Sequence, residues 1–197
     1  FDALYAEPRQ YSHKEQTAFS GPDVQVVRQV AGCEGSHVGD ISHDVTIIGA
    51  GYEDHLLSAV ADAKAKTKKL CMLGFPSLRA DMYQENILRV QMAEEALGAS
   101  IENEILAPAH DPFVVATELS RVVHRHEQRK ELTNLYLCPL STKPHVLGFM
   151  LFYLTERLNT PTSVIYPFCD QYNVSTSIGV GRIWRYTIEL PSINSAP

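Results

Sequence analysis

A chain of 197 residues that is 45% hydrophobic and 20% charged carries enough apolar material for one sizeable core, which excludes a disordered protein. Its longest apolar run, residues 146–154, falls far short of the roughly 20 residues that span a bilayer, and no basic stretch leading into an apolar core marks a secretory leader. A net charge of −6 argues against a broad nucleic-acid surface while leaving room for one small anion in a pocket.

Residues 1–6 and 24–30 read as strands, the first pairing into the main sheet and the second forming an edge strand or hairpin arm. A polar, aperiodic stretch over 8–22 separates them. The chain opens at Phe1 in mid-strand, as a fragment, a processed product or one domain of a longer protein would. From Asp44 onward the alternation is that of a parallel sheet. Residues 45–48 form a short buried strand, 53–65 a helix and 69–73 a second strand. A helix over 82–97 ends at Gly98, which suits a left-handed cap, and a third strand follows over 100–106. Asp111 as N-cap and Pro112 at the first position open a helix over 112–128. Residues 135–138 are a fourth strand, 145–158 a largely apolar helix, 163–166 a fifth strand and 182–190 a final one. This predicts an α/β fold, a Rossmann-like three-layer sandwich with a mostly parallel sheet over 44–190. An extension over 1–43 packs on that sheet, and a frayed tail covers 191–197.

Cys33, Cys71, Cys138 and Cys169 are widely spaced with no CxxC pair, and three of them sit in apolar strand-like runs. They are expected to be buried free thiols of a cytoplasmic protein. The histidines show no metal-binding spacing, so no metal is expected. No cofactor is expected either.

Each crossover of a parallel sheet returns the chain to the same side, so the loops after the strands share one edge, where α/β folds hold ligands. Ser141, Thr142 and Lys143 stand there between an apolar strand and an apolar helix, with Pro144 presetting the helix start. Two hydroxyls, one ammonium and the unpaired N–H groups of a helix start suit a phosphate. The bland alternative is an ordinary cap with a solvated lysine. Gly49 and Gly51, followed by Tyr52 and Glu53, supply two of the three glycines of a dinucleotide fingerprint; a tight β–α turn explains them equally. No acidic residue ends the next strand, which argues against a nicotinamide cofactor. Phe75 could stack on a base while Arg79 reaches a phosphate, or the pair could pack and solvate their loop. His110 beside Asp111 could do acid–base work, although capping already occupies Asp111. The charged run at 124–130 reads as a solvated helix face. After the fifth strand a loop with Tyr172, Gly179, Gly181 and Arg182 is long enough to act as a lid over the same edge or simply to reach the last strand. Trp184 and Tyr186, alternating in that strand, read as packing.

The stretch LYLCPLSTKPHVLGFMLF resembles the strand, hydroxyl–lysine loop and apolar helix of CARF-type domains, the Rossmann-like sensors associated with prokaryotic immunity. The turn at Gly49–Glu53 resembles the ligand loop after that family's first strand. Leu140 and Ser141 stand where the family carries paired glycines. The resemblance implies a homodimer that binds a cyclic oligoadenylate or related nucleotide and switches a fused or associated effector. Some members cleave their ligand without metal, with the ligand's own 2′-hydroxyl as nucleophile; here Lys143 and Thr142 would stabilise the phosphorane.

The leading expectation is therefore a regulatory nucleotide sensor whose ligand contacts include Gly49, Gly51, Tyr52, Glu53, Phe75, Arg79, Ser141, Thr142, Lys143 and Tyr172. The alternatives are a metal-independent phosphoesterase, with no catalytic residue assigned, and a structural dimerisation domain. In the last, the apolar helix over 146–154 would be either central core or a dimer face.

Overall fold

The computed structural model describes residues 1–11, 24–79, 82–97, 104–129, 132–171 and 176–190. In chain order the elements are β1 (Asp2–Tyr11), β2 (Val24–Gln29), β3 (Val45–Gly49), α1 (Asp54–Ala63), β4 (Lys68–Gly74), α2 (Met82–Met92), α3 (Glu94–Leu97), β5 (Glu104–Ala107), α4 (Pro112–Arg129), β6 (Leu135–Pro139), α5 (Lys143–Phe152), β7 (Thr162–Cys169) and β8 (Ser177–Thr187). Contacts divide the chain into two compact units, Pro22–Asp170 and Phe1–Gly21 with Gln171–Pro197.

The larger unit is the expected α/β fold. Its six strands lie in the order β2-β7-β6-β3-β4-β5, with the five from β3 to β7 parallel and β2 antiparallel on the edge. Every residue of β3 is buried, the mark of a strand covered on both faces. Period-two alternation then sorts the side chains. Val45, Ile47, Leu70, Met72 and Leu137 join a core with Val115 and Leu119 of α4 and Phe149 and Phe152 of α5. Ile48, Cys71, Leu73 and Cys138 join a second core with Leu57 and Val60 of α1, Val90 of α2 and Leu97 of α3. The chain steps outward from β3 to β4 and β5, then restarts at β6 on the other side of β3. The topological switch point therefore lies between β3 and β6.

The apolar helix α5 is central core: Phe149 and Phe152 are fully buried. It lies close against α4 because residue 148 is glycine. A Cβ there would meet Val115 side-chain atoms at 2.5 Å and the Pro112 carbonyl oxygen at 2.6 Å. α5 begins two residues before the predicted start and gives way to a π-turn over Tyr153–Arg157, where the periodicity reads as continuous helix. In that last stretch the Thr155 hydroxyl donates to the Leu151 carbonyl at 2.8 Å, a back-bond that helices accommodate by bending. The helix expected over 82–97 is likewise divided, into α2 and α3. Gly98 and the start of the strand expected at 100 lie outside the described residues.

Two strands are corrected. Residues 1–6 and 182–190 were expected in the main sheet, but β1 and β8 pair only with each other, as a separate antiparallel ribbon with a register shift between Glu7 and Pro8. Residues 177–181, expected in a loop that either lids the edge or simply reaches the last strand, already belong to β8, and Arg182 stands opposite Glu7 in the ribbon. Alternation alone cannot say which sheet a strand joins, and the glycines at 179 and 181 look like loop punctuation. One ribbon face carries polar pairs: the Trp184 indole donates to Glu7 at 2.8 Å and the Tyr5 and Tyr11 hydroxyls meet at 3.2 Å. The other exposes Leu4, Val180 and Ile183. The edge assignment of β2 holds. The tail over 191–197 lies outside the described residues.

Among the described residues no helix is long and apolar enough to cross a membrane. All four cysteines are free, with Cys33, Cys71 and Cys138 buried and Cys169 half-buried.

Candidate functional site

The carboxyl edge of the sheet brings together the ends of β3, β4, β5 and β6, and the structure ties them to one another. The Leu140 N–H donates to the Gly49 carbonyl at 3.0 Å, joining the loops at the switch point. The Phe75 N–H donates to Ala107 at 2.8 Å and the Ala109 N–H to Pro76 at 2.9 Å, joining the β4 and β5 ends. Thr142 then joins the loop after β6 to the loop after β5, its hydroxyl donating to the Ala109 carbonyl at 2.6 Å.

These ties decide what several predicted site residues do. Gly49 faces the Phe149 ring, 3.2 Å from where a Cβ would stand, and a Cβ on Gly51 would stand 2.2 Å from the Leu140 carbonyl oxygen. Packing of protein on protein accounts for both glycines, and neither has a positive φ. Thr142 is the N-cap of α5, accepting from the His145 N–H across 3.4 Å while donating to Ala109. Asp111 caps α4, its carboxylate accepting from the Phe113 and Val114 N–H groups at 3.0 and 3.1 Å. Phe75 packs against Tyr83 with ring centroids 4.7 Å apart, although it remains 47% exposed. The Arg79 carbonyl accepts from the Ser77 hydroxyl and the Met82 N–H, closing the turn into α2. Tyr52 and Glu53 are half-buried at the start of α1, where Glu53 is the N-cap residue without a side-chain capping bond. Tyr172 lies outside the described residues.

Ser141 and Lys143 remain uncommitted. Both stand at the mouth of α5, Ser141 half-buried and Lys143 exposed at the first helical position, and neither side chain has a polar partner among the described residues. An exposed ammonium, a hydroxyl and a helix start with partial positive charge thus face outward beside the switch point. No protein-family model matches the chain, and no curated protein matches it.

Two buried polar groups at this edge escaped the sequence reading. His145, in the first turn of α5, is fully buried. Burial pushes its pKa down to about 4, against the raising effect of the Pro108 and Ala107 carbonyls. Its Nε2 lies 3.1 Å from the Pro108 carbonyl, which fixes the proton on that nitrogen, and its buried Nδ1 has no partner among the described residues. Asn86 of α2, 2% exposed, donates to the Ala50 carbonyl at 3.3 Å, and its buried Oδ1 has no partner among the described residues. The available signal was a polar residue at an otherwise apolar helical position.

At the opposite edge a polar network pins the loop over 37–44 to the start of β6. Asp44, 5% exposed, accepts from the Thr133 hydroxyl at 2.6 Å, the Asn134 N–H at 3.1 Å, the Asn134 amide at 2.8 Å and the Tyr136 hydroxyl at 3.3 Å. The Tyr136 ring stacks on His37 and lies 3.4 Å from the Lys64 ammonium. Burial lowers the pKa of Lys64, with Asp44 opposing, and raises that of Tyr136, with Asp44 reinforcing. The carboxylate is saturated with donors, which makes this a structural clasp. Among the described residues no three His, Cys, Asp or Glu side chains are placed to hold a metal ion.

Proposed function

We propose that the larger unit is a regulatory ligand-binding domain that takes a small anionic nucleotide at the β3/β6 switch point. The observation that carries the reading is the division of labour in the loop after β6. Thr142 is consumed in holding the loop, while Ser141 and Lys143 are positioned by that loop and satisfied by nothing in it. Rigid placement of uncommitted donors beside a helix start is what anion recognition needs. The strand–Ser–Thr–Lys–helix resemblance narrows the anion to a cyclic oligonucleotide or related second messenger, and the biological setting to prokaryotic antiviral defence. Within that reading the domain works as a homodimer and switches a fused or associated effector. The side of α5 that carries Phe149 and Phe152 is buried in the core, so that side is not the pairing surface. Binding is favoured over turnover, since Asp111 is occupied as a cap and His145 is buried and neutral.

A thermal-shift panel of cyclic di-, tri-, tetra- and hexanucleotides with linear controls tests this. One class should raise the melting temperature, by mass action equivalent to about 2.7 kcal/mol at a hundredfold excess over Kd. Lys143→Ala should weaken that binding by about 1–3 kcal/mol, the range for losing a hydrogen bond to a charged group. No shift with any nucleotide, or a shift indifferent to Lys143→Ala, would remove the switch-point loop from consideration.

A further inference from the structure

A cavity of about 510 Å³ lies away from the carboxyl edge, between α4 and the edge strand β5. Its size falls within the range of small-molecule sites, roughly 300–1,000 Å³. Its charge runs against that of the chain. In a protein of net charge −6, the walls carry four Lys and Arg side chains against two carboxylates. Arg121, Arg125 and Arg129 recur every fourth residue and so form one stripe along α4, and Lys68 approaches from the start of β4. Arg121 is held by Glu118. Arg125, Arg129 and Lys68 have no ion pair or side-chain hydrogen bond among the described residues. Attraction to the negative end of the helix dipole explains a basic residue in the last turn. It explains neither Arg125 nor a lysine converging from another element.

We infer that this groove is a second ligand site, built for a small multiply charged anion of the di- or triphosphate class. Two unpaired guanidinium forks one helical turn apart can each take a pair of phosphate oxygens, and Lys68 supplies a point charge across from them. Glu104, also in the lining and without a cationic partner among the described residues, repels such a ligand and limits how far it extends along β5. Arg125, His126 and Arg129, from a charged run that as a sequence reads as a solvated face, thus contribute one wall of a concave site.

The site is tested by calorimetric titration of the full chain with inorganic triphosphate at physiological ionic strength, in a Lys143→Ala background so that the switch-point loop does not contribute. Saturable one-to-one binding is expected. Arg125→Ala with Arg129→Ala should weaken it at least thirtyfold, and Glu104→Gln should tighten it several-fold. Both arginines are exposed, so the melting temperature without anion should not move. Absence of saturable binding, or affinity unchanged by the paired arginine substitutions, overturns the assignment. Failure of Glu104→Gln to tighten binding overturns the placement of the anion in this groove.

Discussion

Gly51→Ala separates the two roles a glycine at the switch point can play. A methyl group built there lies 2.2 Å from the Leu140 carbonyl oxygen, whereas ordinary contact begins at 3.4 Å, so the two loops must part by about 1 Å. The obstacle is backbone, and Leu140 is tethered by its own 3.0 Å bond to Gly49, so no side chain can rotate away. Overpacking of this kind costs about 1–3 kcal/mol, and losing the tether adds about 1 kcal/mol. The backbone at Gly51 is one alanine can adopt, so reduced freedom of the unfolded chain returns about 0.4–1 kcal/mol. The net expectation is a loss of about 1–3 kcal/mol, read by urea unfolding with an unchanged m-value. Gly39→Ala is the control, since a methyl group there meets nothing within 4 Å, and it should fall within about 0.5 kcal/mol of the parent or above it. A Gly51→Ala protein as stable as the parent would refute the packing explanation and return the glycine to the ligand.

Asp44→Ala strands the buried Thr133 hydroxyl and Asn134 N–H at the amino edge, while the Asn134 amide keeps the Val38 and Asp40 carbonyls, and should cost about 1–3 kcal/mol for each stranded donor in the same urea assay, with Asp44→Asn milder because it keeps an acceptor; a loss below 1 kcal/mol would contradict the clasp. His145 binds its proton less readily folded, at about 4, than at the ordinary 6.5. Its contribution is therefore complete above pH 6.5 and lost as pH falls from 6.5 through 4, about 3 kcal/mol in all. His145→Gln should flatten that part of the stability–pH curve, and parallel curves for variant and parent would show that His145 is not the group responsible. With Ellman's reagent on the native protein, the half-buried Cys169 should react first. Burial pushes Cys71 up to about 12 and raises Cys33 and Cys138 as well, so those three should label only on unfolding; equal rates at all four would contradict the packing.

The parallel sheet was legible because its strands are short and apolar, its crossovers are helices, and caps such as Asp111 announce themselves by residue type and position. The ribbon was not. β1 and β8 have the same alternation as any half-buried strand, and their pairing joins the two ends of the chain, a long-range fact that no local window contains. At the site, the hydroxyl–lysine loop was visible as a polar break between apolar runs, yet the sequence could not divide its labour. Only the position of the Ala109 carbonyl shows that Thr142 is spent, whereas Ser141 has no side-chain partner among the described residues. The glycines are ambiguous in the sequence for a related reason. Close approach demands a glycine whether the neighbour is a phosphate or the backbone of the next loop. Gly148 carried no motif, because its requirement is set by Val115 on another helix.

The ribbon also constrains the order in which the chain can assemble. β1 and β8 pair as hairpin strands do, but what separates Tyr11 from Ser177 is the entire sheet unit. Closing so long a loop in an unfolded chain costs a few kcal/mol more than closing a short turn, at about 0.6 kcal/mol per doubling of length. The sheet removes most of that penalty, because the antiparallel pairing of β2 with β7 sets Val24 opposite Cys169 and so fixes the two exits of the unit beside each other. The sheet unit is in effect an insertion in a hairpin turn, and the hairpin becomes cheap to form only once its insertion has folded.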